Sequence, residues 1–123
     1  MKKLGIDMIE AERRRQIEQE KYDHGHDDRH ANQELQRAAE CYFHSGNQFI
    51  AGFKSFRPPE SWPWAKRYWK PTNAVRDFVK AGALWLAEID RMKRLDPDEQ
   101  FPSNIESLRN RVKTCARKID ERN

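Results

Sequence analysis

Between His24 and His30 the chain sets three imidazoles and two carboxylates in seven residues, His24-Gly25-His26-Asp27-Asp28-Arg29-His30, and Glu34 follows four positions later. Imidazole together with carboxylate suits Zn, Mn, Ni or Fe, and carboxylate oxygens alone suit Mg or Mn. Asp27, His30 and Glu34 stand at i, i+3 and i+7, so a helix that begins early enough carries all three on one face. A helix cap accounts for one carboxylate here, not for three with an imidazole. The expected metal set is Asp27, Asp28 and Glu34, joined by Asp77 from a later helix, with Mg or Mn as the divalent ion. An imidazole titrates near working pH, so His30 and Glu34 are the expected catalytic groups. His24 and Gly25 mostly make the turn.

A second stretch with chemistry is Trp62-Pro63-Trp64-Ala65-Lys66-Arg67-Tyr68-Trp69-Lys70-Pro71. Its rings could stack a base while its cations hold phosphates. Equally, the three Trp could form a hydrophobic lid over a thin core. Under the first reading the substrate contacts are Trp64, Arg67, Trp69 and Lys70, with Lys80 from the helix that follows. Covalent catalysis is not indicated. No Ser or Cys sits in a strained turn beside a base, and no Gly-rich loop could cradle a phosphate. Cys41 and Cys115 each fall in an apolar helical pattern, with no CxxC, and read as buried thiols of a reducing compartment.

These groups need elements to hold them, and the hydrophobic periodicity is helical throughout. A charged helix is predicted over about Ile6 to Tyr22, with Ile6, Ile9 and Ile17 as its thin apolar side and most of its surface wet. A loop over about Asp23 to Arg29 precedes a helix from about Ala31 to Gly46 or somewhat beyond, with Leu35, Ala38, Ala39, Tyr42 and Phe43 on one face. Gly46, Gly52 and four prolines, the last of them Pro71, then exclude a long regular element from Ser45 to Pro71. The clearest helix spans about Asn73 to Leu95, with Thr72 or Asn73 as its cap. Gly82 inside it costs roughly 1 kcal/mol against Ala, which close approach of another helix would justify, or a kink. After a breaker at 96–102, Ser103-x-x-Glu106 reads as a capping box. Ile105, Leu108, Val112, Cys115 and Ile119 then make a narrow seam that fits either this chain or a second copy. The expected fold is all-α: four main helices in a bundle, with an irregular Trp/Pro-rich loop between the second and third. Residues 1–95 form the helical core, and 96–123 a linker plus a C-terminal amphipathic helix, within one structural domain.

Composition bounds the partners. The 123 residues fit one domain, and 36% charged against 37% hydrophobic leaves little core to bury. The net charge of +4 and pI near 9.2 permit a nucleotide or nucleic acid, although interleaved signs also describe an ordinary solvated face. No apolar run approaches a membrane span, and the N-terminus lacks the apolar core of a signal peptide, so the expected location is the cytoplasm.

The runs Glu12-Arg13-x-Arg15-Gln16 to Glu20, His26-Asp27-Asp28-x-His30-x-x-x-Glu34-Leu35, Trp62-Pro63-Trp64 and Arg76-Asp77-x-Val79-Lys80-Ala81-Gly82 resemble a widespread group of small phage and prophage proteins. The likeness covers roughly Ile9 to Leu95 and implies a phage setting in a host cell. A fainter similarity is to MazG-like nucleoside triphosphate pyrophosphohydrolases, all-α proteins that are often dimeric or tetrameric and hold Mg²⁺ with acidic helix motifs. That similarity implies a homo-oligomer and a metal-dependent phosphohydrolase. Glu34 would stand for the first motif and Asp77 for the second. Arg37 occupies the place of the second Glu of the usual pair, and the His residues have no counterpart. The alternative is a non-enzymatic phage protein that binds a host protein, a nucleotide signal or nucleic acid, its polar residues forming a hydrogen-bond network between helices.

Overall fold

The helical spacing becomes four α-helices in the structure, a computed structural model that describes residues 4–19, 33–53, 57–95, 98 and 102–122. They are α1 (Gly5–Gln19), α2 (Glu34–Ile50), α3 (Ala74–Leu95) and α4 (Pro102–Asp120), with one 3₁₀ turn at Lys66–Tyr68. No strand occurs among the described residues. The result is an all-α bundle.

The central helix is α3, which packs against each of the other three. Asn73 caps it: its Oδ1 accepts the Arg76 amide at 2.8 Å. Phe78, Val79, Ala81, Ala83, Leu84, Trp85, Ala87 and Ile89 are all buried, so α3 is covered nearly all round. Against it α2 runs antiparallel, as Ser45 meets Asp77 and Gln36 meets Glu88. Gly46 does not end α2. It lies inside the helix, where a Cβ would come within 2.7 Å of the Phe78 ring, so the bare backbone lets α3 approach.

The seam of α4 is used within the chain. Ile105, Leu108, Val112, Cys115 and Ile119 are buried, and Arg111 and Lys118 lie over the rings of Trp85 and Phe78. Pro102 supplies the first helical residue, so Ser103 stands inside the helix rather than as its cap. No helix is long and apolar enough to cross a membrane among the described residues.

Two glycines let α1 approach. A Cβ on Gly82 would come within 2.6 Å of Ile9, and one on Gly5 within 2.5 Å of the Ala116 carbonyl oxygen. Close helix approach is therefore the reason for Gly82. The face that α1 buries is not the wet, thinly apolar one expected. Beside Ile9 it buries Glu12, Arg13 and Gln16.

Candidate functional site

The expected carboxylates divide between the two ends of the α2–α3 pair. At one end Asp77 has no exposed surface. Its Oδ2 accepts from Ser45 Oγ at 2.7 Å and its Oδ1 from the Thr72 amide at 3.0 Å. Burial pushes this carboxyl above its ordinary range, against those two bonds and the nearby Lys80 and Arg76. Lys80 sits beside it, donating to the Lys70 carbonyl at 2.6 Å and to Thr72 Oγ1 at 3.0 Å. Burial lowers the Lys80 pKa, and Asp77 opposes that most strongly. Thr72 is thus held by both side chains, and the end of the irregular loop is fixed to α3.

At the other end is Glu34, the first residue of α2. It accepts from Trp64 Nε1 at 3.2 Å. The residue before it, Gln33, has φ 61°, the only non-glycine positive φ among the described residues. A left-handed glutamine is strained, and such strain gathers at functional positions. Eleven residues of α2 separate Glu34 from Ser45, about 16 Å at 1.5 Å per residue. The structure therefore does not bring Asp77 to Glu34. Asp27, Asp28 and His30 lie outside the described residues.

The carboxylate that α3 offers at the Glu34 end is Glu88. It is fully buried, accepts from Gln36 Nε2 at 3.0 Å, and is paired with Arg91 at 2.5 Å. Two residues along α3, Asp90 meets the buried Arg13 of α1 at 3.6 Å. Across α3, Glu12 of α1 is buried between Arg15 and Arg76, with Nη2 of each at 2.6 and 2.9 Å. Burial pushes the Glu12 pKa up, but the two guanidiniums outweigh it and hold the group below the usual carboxylate range. Gln16 Nε2 lies 3.5 Å from Glu12, while its buried Oε1 accepts from nothing.

Sequence reasoning passed over Glu12, Arg13, Gln16 and Glu88, yet a signal was present. Ile9, Glu12, Arg13 and Gln16 stand at i, i+3, i+4 and i+7, and so do Ala81, Leu84, Trp85 and Glu88. A polar residue on the apolar stripe of its own helix is carried inward with it.

The aromatic stretch is a lid over α2. Trp69 is buried and stacked on Tyr42 with ring centroids 4.7 Å apart. Trp62 meets both rings edge-on, at 5.5 Å and 4.9 Å, and donates from Nε1 to the Ala65 carbonyl. Tyr42 Oη accepts the Lys70 amide at 3.1 Å. Of the residues expected to hold substrate, Trp69 is committed to this cluster and Lys80 to the loop backbone. Trp64 is half-buried beside Glu34, while Arg67 and Lys70 face solvent.

Among the described residues no three His, Cys, Asp or Glu side chains come close enough together to hold a metal. The carboxylates at the Glu34 end are hard oxygen donors of the kind Mg or Mn takes. Cys41 and Cys115 are both buried; burial pushes both thiols up, that of Cys115 to about 12. Comparison with family models, with curated proteins and with solved structures gives no match.

Proposed function

We propose that the chain is a metal-dependent nucleotide phosphohydrolase whose site lies at the Glu34 end of the bundle. One observation carries this reading. At the end where α2 starts with Glu34, α3 supplies a fully buried glutamate, Glu88, and Asp27, Asp28 and His30 precede Glu34 in the sequence by seven, six and four positions. The strained Gln33 beside Glu34 supports the same placement.

In this reading Asp27, Asp28 and Glu34 hold the ion, Glu88 stands behind them, and Asp77 leaves the metal set to act as a structural anchor. A Mg or Mn ion bound there supplies charge neutralisation for the phosphate chain. His30 takes the proton from the attacking water, Trp64 packs against the base, and Arg91 adds positive charge. The resemblance to phage and prophage proteins sets this activity in a host cytoplasm, and the MazG-like similarity suggests a homo-oligomer.

The test is a panel of nucleoside triphosphates with Mg²⁺ or Mn²⁺, scored by phosphate and pyrophosphate release. Glu34→Gln, Asp28→Ala and His30→Ala should each lose roughly 10²–10⁴-fold in rate while keeping the native circular dichroism. Asp77→Asn should keep the rate. A wild-type protein that hydrolyses no nucleotide with either ion sinks the proposal.

A second reading has its own observation. Both oxygens of Asp77 serve contacts inside the chain, as expected if the buried polar groups serve only to fix the helices of a non-enzymatic binding protein. The same panel separates the two.

A further inference from the structure

The outer side of the aromatic lid has a different character from its buried side. Residues 57–72 carry four basic side chains, Arg57, Lys66, Arg67 and Lys70, against one acidic, Glu60. Lys66, Arg67, Tyr68 and Lys70 are all exposed, Tyr68 by 48%. Among the described residues no carboxylate pairs with Lys66, Arg67 or Lys70. Three of the basic residues of α4 differ in this: Arg109 pairs with Glu106, Arg111 with Glu40 and Arg117 with Glu121. The Arg67 guanidinium instead lies 4.9 Å over the Tyr68 ring and donates to its hydroxyl at 3.0 Å.

The turn is also held firmly from below. Trp62 and Trp69 are buried on either side of it, the Tyr68 and Trp69 amides bond back to Ala65 and Lys66, and the Lys70 amide bonds to Tyr42. A fixed backbone thus presents three cations with no carboxylate partner among the described residues, around a flat cationic–aromatic pair.

We propose that this turn, Lys66–Tyr68 with Lys70, is a binding surface for single-stranded nucleic acid. Phosphates answer the three cations, and an unpaired base offers the π-face that Tyr68 and the Arg67 guanidinium can stack. An acidic peptide offers the charge without the π-face. A duplex offers the charge but keeps its bases stacked on each other. None of these four residues is assigned to the proposed hydrolytic site, whose Trp64 lies two positions before Lys66 in the same loop.

Fluorescence anisotropy with a labelled twelve-nucleotide DNA strand tests the proposal. Three phosphate contacts predict a loss of roughly 20-fold in affinity between 50 and 200 mM salt. Lys66→Glu/Arg67→Glu/Lys70→Glu should weaken binding at least about 10-fold at 50 mM salt. Tyr68→Ala should weaken strand binding about 5-fold or more and leave duplex binding unchanged. Lys113→Glu/Arg117→Glu on α4 should change nothing. The side chains replaced are exposed, and circular dichroism checks that each variant is folded. Absent binding at 50 mM salt, an equal loss in the α4 variant, or equal competition by polyglutamate or by free nucleotide at matched charge would each overturn it.

Discussion

Asp77 is a carboxylate with no exposed surface whose two oxygens each accept one bond, from Ser45 and from the Thr72 amide. Asp77→Ala strands the buried Ser45 hydroxyl and the Thr72 amide, at a cost of about 2–4 kcal/mol. Asp77→Asn keeps an acceptor for Thr72 and should cost about 1 kcal/mol or less near pH 7. The pH dependence is sharper. Burial raises the Asp77 pKa from its ordinary 3.8, so the folded state holds this proton more tightly than the unfolded chain does. Its contribution is fully present below 3.8 and is lost as pH rises through the folded value. Glu12 has the opposite sign: its pKa is lowered from 4.5, so its stabilisation is present above 4.5 and is lost as pH falls through the folded value. In urea unfolding series, Asp77→Asn should therefore gain on wild type as pH rises above 3.8. Glu12→Gln should lose most near neutrality and approach wild type in acid. A gap to wild type that does not change with pH in either series would contradict the assigned direction for that residue.

At the scale of elements, α1 depends on two bare backbones. Gly82→Ala would gain roughly 1 kcal/mol of helix propensity. Its Cβ, however, would stand 2.6 Å from Cδ1, 2.9 Å from Cγ1 and 3.0 Å from Cγ2 of Ile9, which is fully buried. Overpacking of this kind costs about 1–3 kcal/mol, so the net effect should be destabilising by about 1 kcal/mol. Adding Ile9→Val removes the nearest atom. The double variant should then be less destabilised than the sum of its parts, and strict additivity would show that the two positions do not touch. What the sequence made legible follows from this geometry. The stripes of α2, α3 and α4 and the need for a neighbour at Gly82 could be read because apolar spacing reports one helix face at a time. The antiparallel pairing of α2 with α3 could not. Spacing within a helix carries no register between helices, so nothing in the chain said that Asp77 faces Ser45 while Glu88 shares an end with Glu34. The polar stripe of α1 was missed for a different reason. Glu12, Arg13 and Gln16 are ordinarily solvated types, and pairing of Glu12 with Arg15 and Arg76 and of Arg13 with Asp90 offsets the burial of those two. The single spacing pattern that links them to Ile9 was weaker than their composition.

For the whole molecule the question is whether α4 is an appendage to a helical core in 1–95 or part of that core. Its seam buries Ile105, Leu108, Val112, Cys115 and Ile119, and Asp120 Oδ1 accepts the Gly5 amide at 2.7 Å, tying the last helix to the first. Burying such side chains contributes about 1.5–3 kcal/mol each for the larger ones. Even after discount for residual structure in the unfolded chain, the seam is worth on the order of 10 kcal/mol. That equals the entire net stability of an ordinary domain, about 5–15 kcal/mol. Removal of α4 would also uncover the faces of Phe78 and Trp85 over which Lys118 and Arg111 lie. A chain ended at Leu95 should therefore lose its cooperative thermal transition and bind a hydrophobic dye, while retaining partial helicity by circular dichroism. Adding the separate 102–123 peptide should restore some cooperativity, because the seam and its acceptor surface are both intact. A truncated chain that still melts in one sharp transition, with no dye binding, would show that 1–95 folds alone and that α4 merely rests on it.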